Sequence, residues 1–368
     1  MRKNAQIIGL DALRFTAALL VVAFHLCFLH GGSAVASYQA LRPFTYFGWV
    51  GVEIFFVLSG FVIAYSAQGV TAGQFLQHRI VRLFPGVLIC ATLTAIVLRF
   101  SKGPSPRGLF LVWLKSITFF PTGPWIDNSY WTLSIEVAFY AVIFFLLYTK
   151  KMGALQIVIT CIGSMSTVFW VIASLPGNKL GTYLLAAIVD NGTRNILLLR
   201  HGCYFAVGVL LWISLFKGLT PLRLLMLIVC TGGGILQIIY RSNTVSGYSH
   251  YAFSPMVAVL VWLLSVGAIV ISVTHNESAT AAIGSGGATL MRRLGLMTYP
   301  LYLLHAEIGV RLTGLLRSYL PDMAALTLAI AIVITIAYLV STYVEPPLQK
   351  KMRQLFSSRT SQNRMVVS

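Results

Sequence analysis

The chain predicts an all-α fold, a polytopic integral membrane helix bundle of about ten transmembrane helices with both termini cytoplasmic. Composition is the first reason. Of 368 residues 57% are hydrophobic and only 10% charged, whereas soluble domains carry about 25% charged residues. Length is the second, because apolar runs of about twenty residues, enough to cross a hydrocarbon core of about 30 Å, recur along the chain. The third is charge placement. The 27 Lys and Arg against 9 Asp and Glu sit largely in pairs between apolar runs, which is the positive-inside pattern. They cover no continuous patch, so the formal charge of +18 points to membrane lipids and not to nucleic acid.

The run at 7–29 opens the series. It is too long and too charged for a signal h-region, so it reads as a retained span. The run at 45–67 carries Gly48, Gly51 and Gly60, which permit close approach to a neighbouring helix. The run at 83–100 follows HRIVRLFPG, and 131–149 opens on NSYW. Further runs occupy 154–175, 196–216, 221–240 and 253–274. In 294–316, Pro300 is expected to kink the helix beside a cavity. The last run is 323–344.

The stretch 108–120 is short, contains Lys115 and ends at Pro121. It reads as re-entrant or interfacial, because a crossing there would place Lys150 and Lys151 outside and invert every later helix. With Arg2 and Lys3 inside, the inner ends then hold Arg79/Arg82, Lys150/Lys151, Lys217/Arg223 and Arg292/Arg293. They also hold the tail cations Lys350, Lys351, Arg353, Arg359 and Arg364. The outer side keeps Arg42, Lys179, Arg194, Arg241 and Arg317, with a group of Arg99, Lys102, Arg107 and Lys115. Residues 1–347 form the membrane domain. Residues 348–368 form a polar, basic cytoplasmic tail, loose or amphipathic, with no soluble domain expected after it. No internal repeat stands out.

The first span concentrates the chemistry. Asp11, Arg14 and His25 lie in one helix, where each ionisable group at bilayer depth costs about 2.5 kcal/mol or more and tends to face the bundle interior. Arg14 and His25 are eleven positions apart, close to three turns, so they share a face about 16 Å apart along the axis. Asp11 is one turn before Arg14 and can pair with it. The bland alternative is a structural ion pair beside a satisfied core histidine. Glu53 and Ser59 lie in the glycine-punctuated second span. Arg79 and Arg82 share a face at the mouth of the third, where two guanidiniums either grip phosphate or serve only as topogenic charge. Ser134 and Glu136 open the span at 131–149. His305, Glu307 and Arg311 lie in the kinked late span, and Glu345, before two prolines, reads as an end-of-helix structural residue.

The five cysteines form no C-x-x-C pair and read as buried small hydrophobes. No glycine-rich nucleotide loop, H-E-x-x-H, G-x-S-x-G or Cys/His metal spacing appears, so no metal is expected. Proton transfer by His or Glu is the chemistry that remains.

Taken in order, these blocks resemble the membrane acyltransferase-3 family of bacterial inner-membrane proteins that acylate carbohydrates. The resemblance rests on GLDALRFTAALLVVAFH, GVEIFFVLSGFVI, HRIVRLFP, YWTLSIEVAFY, MTYPLYLLH and VEPPL, spread over nearly the whole chain. It implies a multi-pass inner-membrane protein that takes an acyl group, usually acetyl, from cytoplasmic acyl-CoA. The group passes to a hydroxyl of a cell-surface or lipid-linked carbohydrate. The family's essential first-helix Arg and His correspond to Arg14 and His25, its arginine pair to Arg79 and Arg82, and its helix-opening glutamate to Glu136. On this reading Arg79 and Arg82 hold the CoA phosphates, and His25 is general base or transient acyl acceptor. Asp11 and Arg14 anchor the pocket electrostatically, and Glu136 orients His25 or the acceptor. Glu53, Ser59, Ser134, His305 and Glu307 line the pocket. LDALRF replaces the commoner LDGLRA, and TYPLYLLH has Pro where Ser often stands. Some family members add an extracytoplasmic esterase-like domain; none is expected here, so transfer would finish in the membrane domain or pass to a partner. A transporter or flippase of a glycan intermediate, using the buried charges as a substrate or proton path, is the alternative.

Overall fold

The structure, a computed structural model, describes residues 6–29, 36–101, 104–189 and 196–365, with side chains up to 356. Arg2, Lys3, Lys102 and Arg194, used in the charge argument, lie outside the described residues, as do the side chains of Arg359 and Arg364. Among the described residues every regular element is helical. The helices are α1 Ile8–Ala23, α2 Gly51–Ser66, α3 Ala72–Phe100, α4 Pro106–Ile117, α5 Trp131–Tyr148, α6 Leu155–Ser174 and α7 Lys179–Ile188. There follow α8 Gly202–Lys217, α9 Pro221–Ser249, α10 Met256–Thr274, α11 Asn276–Leu304, α12 Glu307–Leu316, α13 Asp322–Leu339 and α14 Glu345–Met365.

Among the described residues eight stretches are long and apolar enough to cross a membrane, so the chain has the helices of a multi-pass membrane protein. They match eight of the ten expected runs. The run at 196–216 becomes α8, 16 residues long and buried along most of its length, shorter than the other eight. The run at 294–316 is split: α11 ends at Leu304 and α12 begins at Glu307. Pro300 lies inside α11, and a departure from helical φ/ψ falls earlier in the same helix, at Gly284, at φ 66°. That left-handed value suits glycine, which has no Cβ to clash. The stretch 108–120 folds as α4, 12 residues packed against α3, too short to span.

Two boundaries move in ways that matter. The run at 83–100 is the second half of a 29-residue helix that begins at Ala72 behind a Thr71/Gln74 capping box. Arg79 and Arg82 are therefore inside α3, not at its mouth. The run at 221–240 continues to Ser249, which brings Arg241 into the helix and away from the loop assigned to it. The tail is helical too: a π-helical turn, Val340–Val344, joins α13 directly to α14, whose first turn holds Pro346 and Pro347. Four cysteines are buried as expected, but Cys161 is exposed on α6.

The core is built on α2, held between α1 and α8. Glycines allow backbone contact on both sides. A Cβ at Gly51 would lie 2.3 Å from the Ala17 carbonyl oxygen of α1; one at Gly60 would lie 2.3 Å from that of Phe205, and one at Gly208 2.0 Å from that of Val57. No flexible side chain can yield at these points. Gly208→Ala is therefore expected to lower stability by about 1–3 kcal/mol through overpacking. Gly232→Ala, on α9 with open space beside it, should be neutral or slightly stabilising. Thermal unfolding in one detergent, compared between the two variants, checks this; equal transitions would refute the backbone contact.

Candidate active site

Three adjoining chambers run along the bundle, and shared lining residues connect them. The first is a vestibule of about 950 Å³ at the N-terminal end of α1, with Arg14, Arg79, Arg82, Arg292 and Arg353 in its wall. Two carboxylates, Asp11 and Glu345, offset part of that charge. The charge pattern had assigned Arg82, Arg292 and Arg353 to three separate inner segments; here they meet at one cavity. Glu345, read as a helix-end residue, is buried in the same wall.

The vestibule narrows into a central chamber of about 100 Å³ between α1, α2, α3, α5 and α11, sharing Arg14, Arg79, Arg82, Gly295 and Tyr299 with it. Asp11 and Arg14 form the expected ion pair at 3.4 Å. Gln6 Nε2 donates to the other Asp11 oxygen at 2.7 Å. Gly295 makes room for this pair, since a Cβ there would stand 2.6 Å from Asp11 Oδ1. Arg79 donates to Ser66 Oγ at 2.6 Å and lies over the rings of Phe75 and Tyr140. The ring faces supply partial negative charge that helps hold a guanidinium in apolar surroundings. Glu136 Oε1 accepts from Ser59 Oγ at 2.9 Å and from the Tyr140 hydroxyl at 2.6 Å. Tyr140 is four residues after Glu136 and shares its helix face, a signal that sequence reasoning passed over.

Val52 and Tyr302 separate this chamber from a third, of about 300 Å³, which contains His25 and Glu53. The Tyr302 hydroxyl accepts from Thr132 Oγ1 at 3.1 Å. His25 lies in a π-helical turn, Phe24–Leu29, that continues α1. Its Nδ1 is 2.9 Å from the Val21 carbonyl oxygen and 3.1 Å from Nε2 of His305. His305, fully buried, has its own Nδ1 2.7 Å from the Tyr302 carbonyl oxygen. A carbonyl only accepts, so both Nδ1 atoms must carry hydrogen. His305 Nε2 is then an acceptor for His25 Nδ1–H, and in the neutral ring the lone pair of His25 falls on Nε2. The ring that the sequence assigned to Glu136 for orientation is thus held by His305, while Glu136 is engaged by Ser59 and Tyr140.

A residue missed in the sequence fixes this arrangement. Asp127 lies just before α5; its Oδ2 accepts from the Glu307 N–H at 2.8 Å and its Oδ1 from the Ser129 N–H at 2.7 Å. It pins the start of α12, two residues after His305. Burial pushes its carboxyl above the ordinary range, and the Glu307 and Ser129 hydrogen bonds oppose that shift. The D-x-S pattern before an apolar run is a helix-start signal. Of the five predicted pocket residues Glu53 and Ser59 line the chambers, His305 stands against His25, and two are placed elsewhere. The Glu307 carboxylate pairs with Arg311 at 3.0 Å, and the buried Ser134 hydroxyl donates to its own helix at the Trp131 carbonyl. Neither lines the three chambers. Arg200 and Arg241, which do line the third, were missed: Arg241 was assigned to an outer loop, and Arg200, near the start of the run 196–216, was not weighed. Among the described residues no group of three or more His, Cys, Asp or Glu is placed to hold a metal ion.

Comparison with known proteins gives the same direction over most of the chain. A family model described as an acyltransferase domain matches residues 7–342. The peptidoglycan O-acetyltransferase OatA of Listeria monocytogenes is 26% identical over 374 residues, covering 93% of this chain and 56% of OatA. The acyltransferase MdmB of Streptomyces mycarofaciens is 30% identical over 145 residues, 36% of this chain and 37% of MdmB. The chain thus spans little more than half the length of OatA. No solved structure matches.

Proposed function

The chain belongs to the acyltransferase-3 family, and on that premise we propose that it is an integral-membrane O-acyltransferase. It moves an acetyl group from acyl-CoA to a hydroxyl of a cell-surface or lipid-linked carbohydrate. The observation that carries this reading is the order of the adjoining chambers, the central one sharing Arg14, Arg79 and Arg82 with the vestibule and Val52 and Tyr302 with the His25 chamber. A basic vestibule suits the CoA phosphates, with Arg79 and Arg82 among its donors. The narrow, mainly apolar central chamber suits the pantetheine arm, with Val52 and Tyr302 standing between it and the chamber of His25. Arg14 and His25 are eleven residues apart, about 16 Å along α1, a span comparable to that arm. The vestibule faces the cytoplasm and the His25 chamber the opposite side, of the inner membrane in a bacterial cell. Both termini are placed inside, on the side where the arginines gather.

His25 Nε2 takes the proton of the acceptor hydroxyl as its oxygen attacks the thioester carbonyl. Negative charge collects on the former carbonyl oxygen of the tetrahedral intermediate, where hydrogen-bond donors beside the carbonyl stabilise it; Arg14, about 16 Å from His25 along the helix, acts at the donor end of the path. Collapse breaks the C–S bond, and the CoA thiolate leaves with the proton that His25 held. His305 Nε2 accepts from His25 Nδ1–H throughout, keeping Nε2 as the basic nitrogen. A two-step route would use the same lone pair as nucleophile and leave acetyl on His25.

Membranes containing the full chain are incubated with acetyl-CoA labelled in the acetyl group. Label is expected on glycan, released by mild alkali as an ester, with one CoA thiol formed per ester. Label trapped on the protein without acceptor would select the two-step route. Glycan movement with no dependence on acetyl-CoA would replace the enzyme by a transporter.

A further inference from the structure

The His25 chamber holds more positive charge than acetyl transfer requires. Its ionisable lining consists of His25, Glu53, Arg200 and Arg241. Ion pairs among the described residues are Asp11–Arg14, Glu307–Arg311 and Arg317–Asp322, so neither Arg200 nor Arg241 has a carboxylate in contact. Arg200 Nε is buried with no hydrogen-bond partner, and so is Oε2 of Glu53, a residue only 3% exposed. One carboxylate faces two guanidiniums, and a net positive charge remains in a pocket of the membrane domain.

An uncompensated guanidinium at such depth is costly. Its planar set of donors matches a carboxylate or phosphate better than it matches a sugar hydroxyl. Arg200 lies over the Trp131 ring at 5.8 Å, which limits the directions its donors can take. Trp49, Trp131, Tyr248 and Tyr302 complete the wall, offering ring faces of the kind that cover the apolar side of a sugar.

We propose that the acceptor is an acidic glycan unit, whose carboxylate or phosphate docks on Arg200 and Arg241 while a nearby hydroxyl meets His25. This rests on the acyltransferase reading above and adds the class of acceptor. The anion either belongs to the sugar, as a uronic-type or lactyl-type carboxylate, or links the sugar to lipid, as a phosphate.

The test uses membranes containing the full chain, labelled acetyl-CoA and the native membrane glycans. The labelled product is cut to its smallest acetylated unit and passed over an anion exchanger. Retention supports the proposal. Loss of retention after carboxyl reduction then assigns the anion to the sugar, and loss after mild acid hydrolysis assigns it to the phosphate linkage. A neutral acetylated unit overturns the acidic acceptor and leaves the acyltransferase intact. No label on any glycan overturns both. With the isolated acidic acceptor, Arg241→Gln is expected to raise the acceptor KM about tenfold, with a smaller change in kcat. Arg241→Lys, which keeps the charge, should recover part of that loss; equal loss in both variants with KM unchanged would mark a merely structural arginine and refute the assignment.

Discussion

Replacing His25 with Ala is expected to lower acetyl transfer about 10²–10⁴-fold, the contribution of a positioned general base, with folded protein near the wild-type amount. The expectation follows from hydrogen positions. With Nδ1–H directed to the Val21 carbonyl and to His305 Nε2, Nε2 is the nitrogen that can remove a proton. Removing the imidazole takes away the base and leaves the surrounding helices in place. His305→Ala should also reduce kcat, because it removes the acceptor that steadies the imidazolium formed during attack. The two rings act as one unit, so the double variant should be scarcely worse than His25→Ala alone. Independent, multiplying losses would show that the rings do not cooperate. Unchanged glycan acetylation by His25→Ala at normal protein level would remove His25 from the mechanism.

How much of this the sequence disclosed depends on the distance over which each signal acts. Long apolar runs are local, and eight of them reappear as long helices. The shared face of Arg14 and His25 is local too, since helical period alone fixes it. The partnership of His25 with His305 is not, because 280 residues separate them and no periodicity connects α1 to the end of α11. Both histidines stood out as ionisable groups in apolar surroundings, so each was named and only their contact was missing. The extension of α3 back to Thr71 was legible in the T-x-x-Q capping pattern, but hydropathy dominated and placed the start too late. The extension of α9 was less legible, because polar residues after Tyr240 resemble a loop until tertiary packing buries Ser242 and Val245. Arg241 was misplaced for that reason, and the charge of the third chamber went with it. The short α8 shows what hydropathy alone leaves open: continuous hydrophobicity marks burial of any kind, and protein core produces it as readily as lipid.

Arg14→Leu is expected to be the most damaging substitution for folded protein. Arg14 and Asp11 meet at 3.4 Å with side chains only 17% exposed. Breaking a largely buried pair by removing one partner costs about 3–5 kcal/mol, because the other charge is left without compensation. Removing both charges avoids most of that cost, so Asp11→Asn combined with Arg14→Gln should restore much of the folded protein. The two roles of Arg14 then separate. A purely structural arginine would let the double variant recover activity together with folding. An arginine that contacts the acyl donor would not, because Arg14 lines both the vestibule and the central chamber and the neutral glutamine supplies no charge there. The double variant is therefore expected to be well folded, with an acetyl-CoA KM raised about tenfold or more through loss of charge-assisted hydrogen bonds. Thermal unfolding and donor titration on the same preparation measure both quantities. Full recovery of donor kinetics with folding would confine the Asp11–Arg14 pair to holding α1 against α11, and would leave Arg79 and Arg82 as the donor-binding charges.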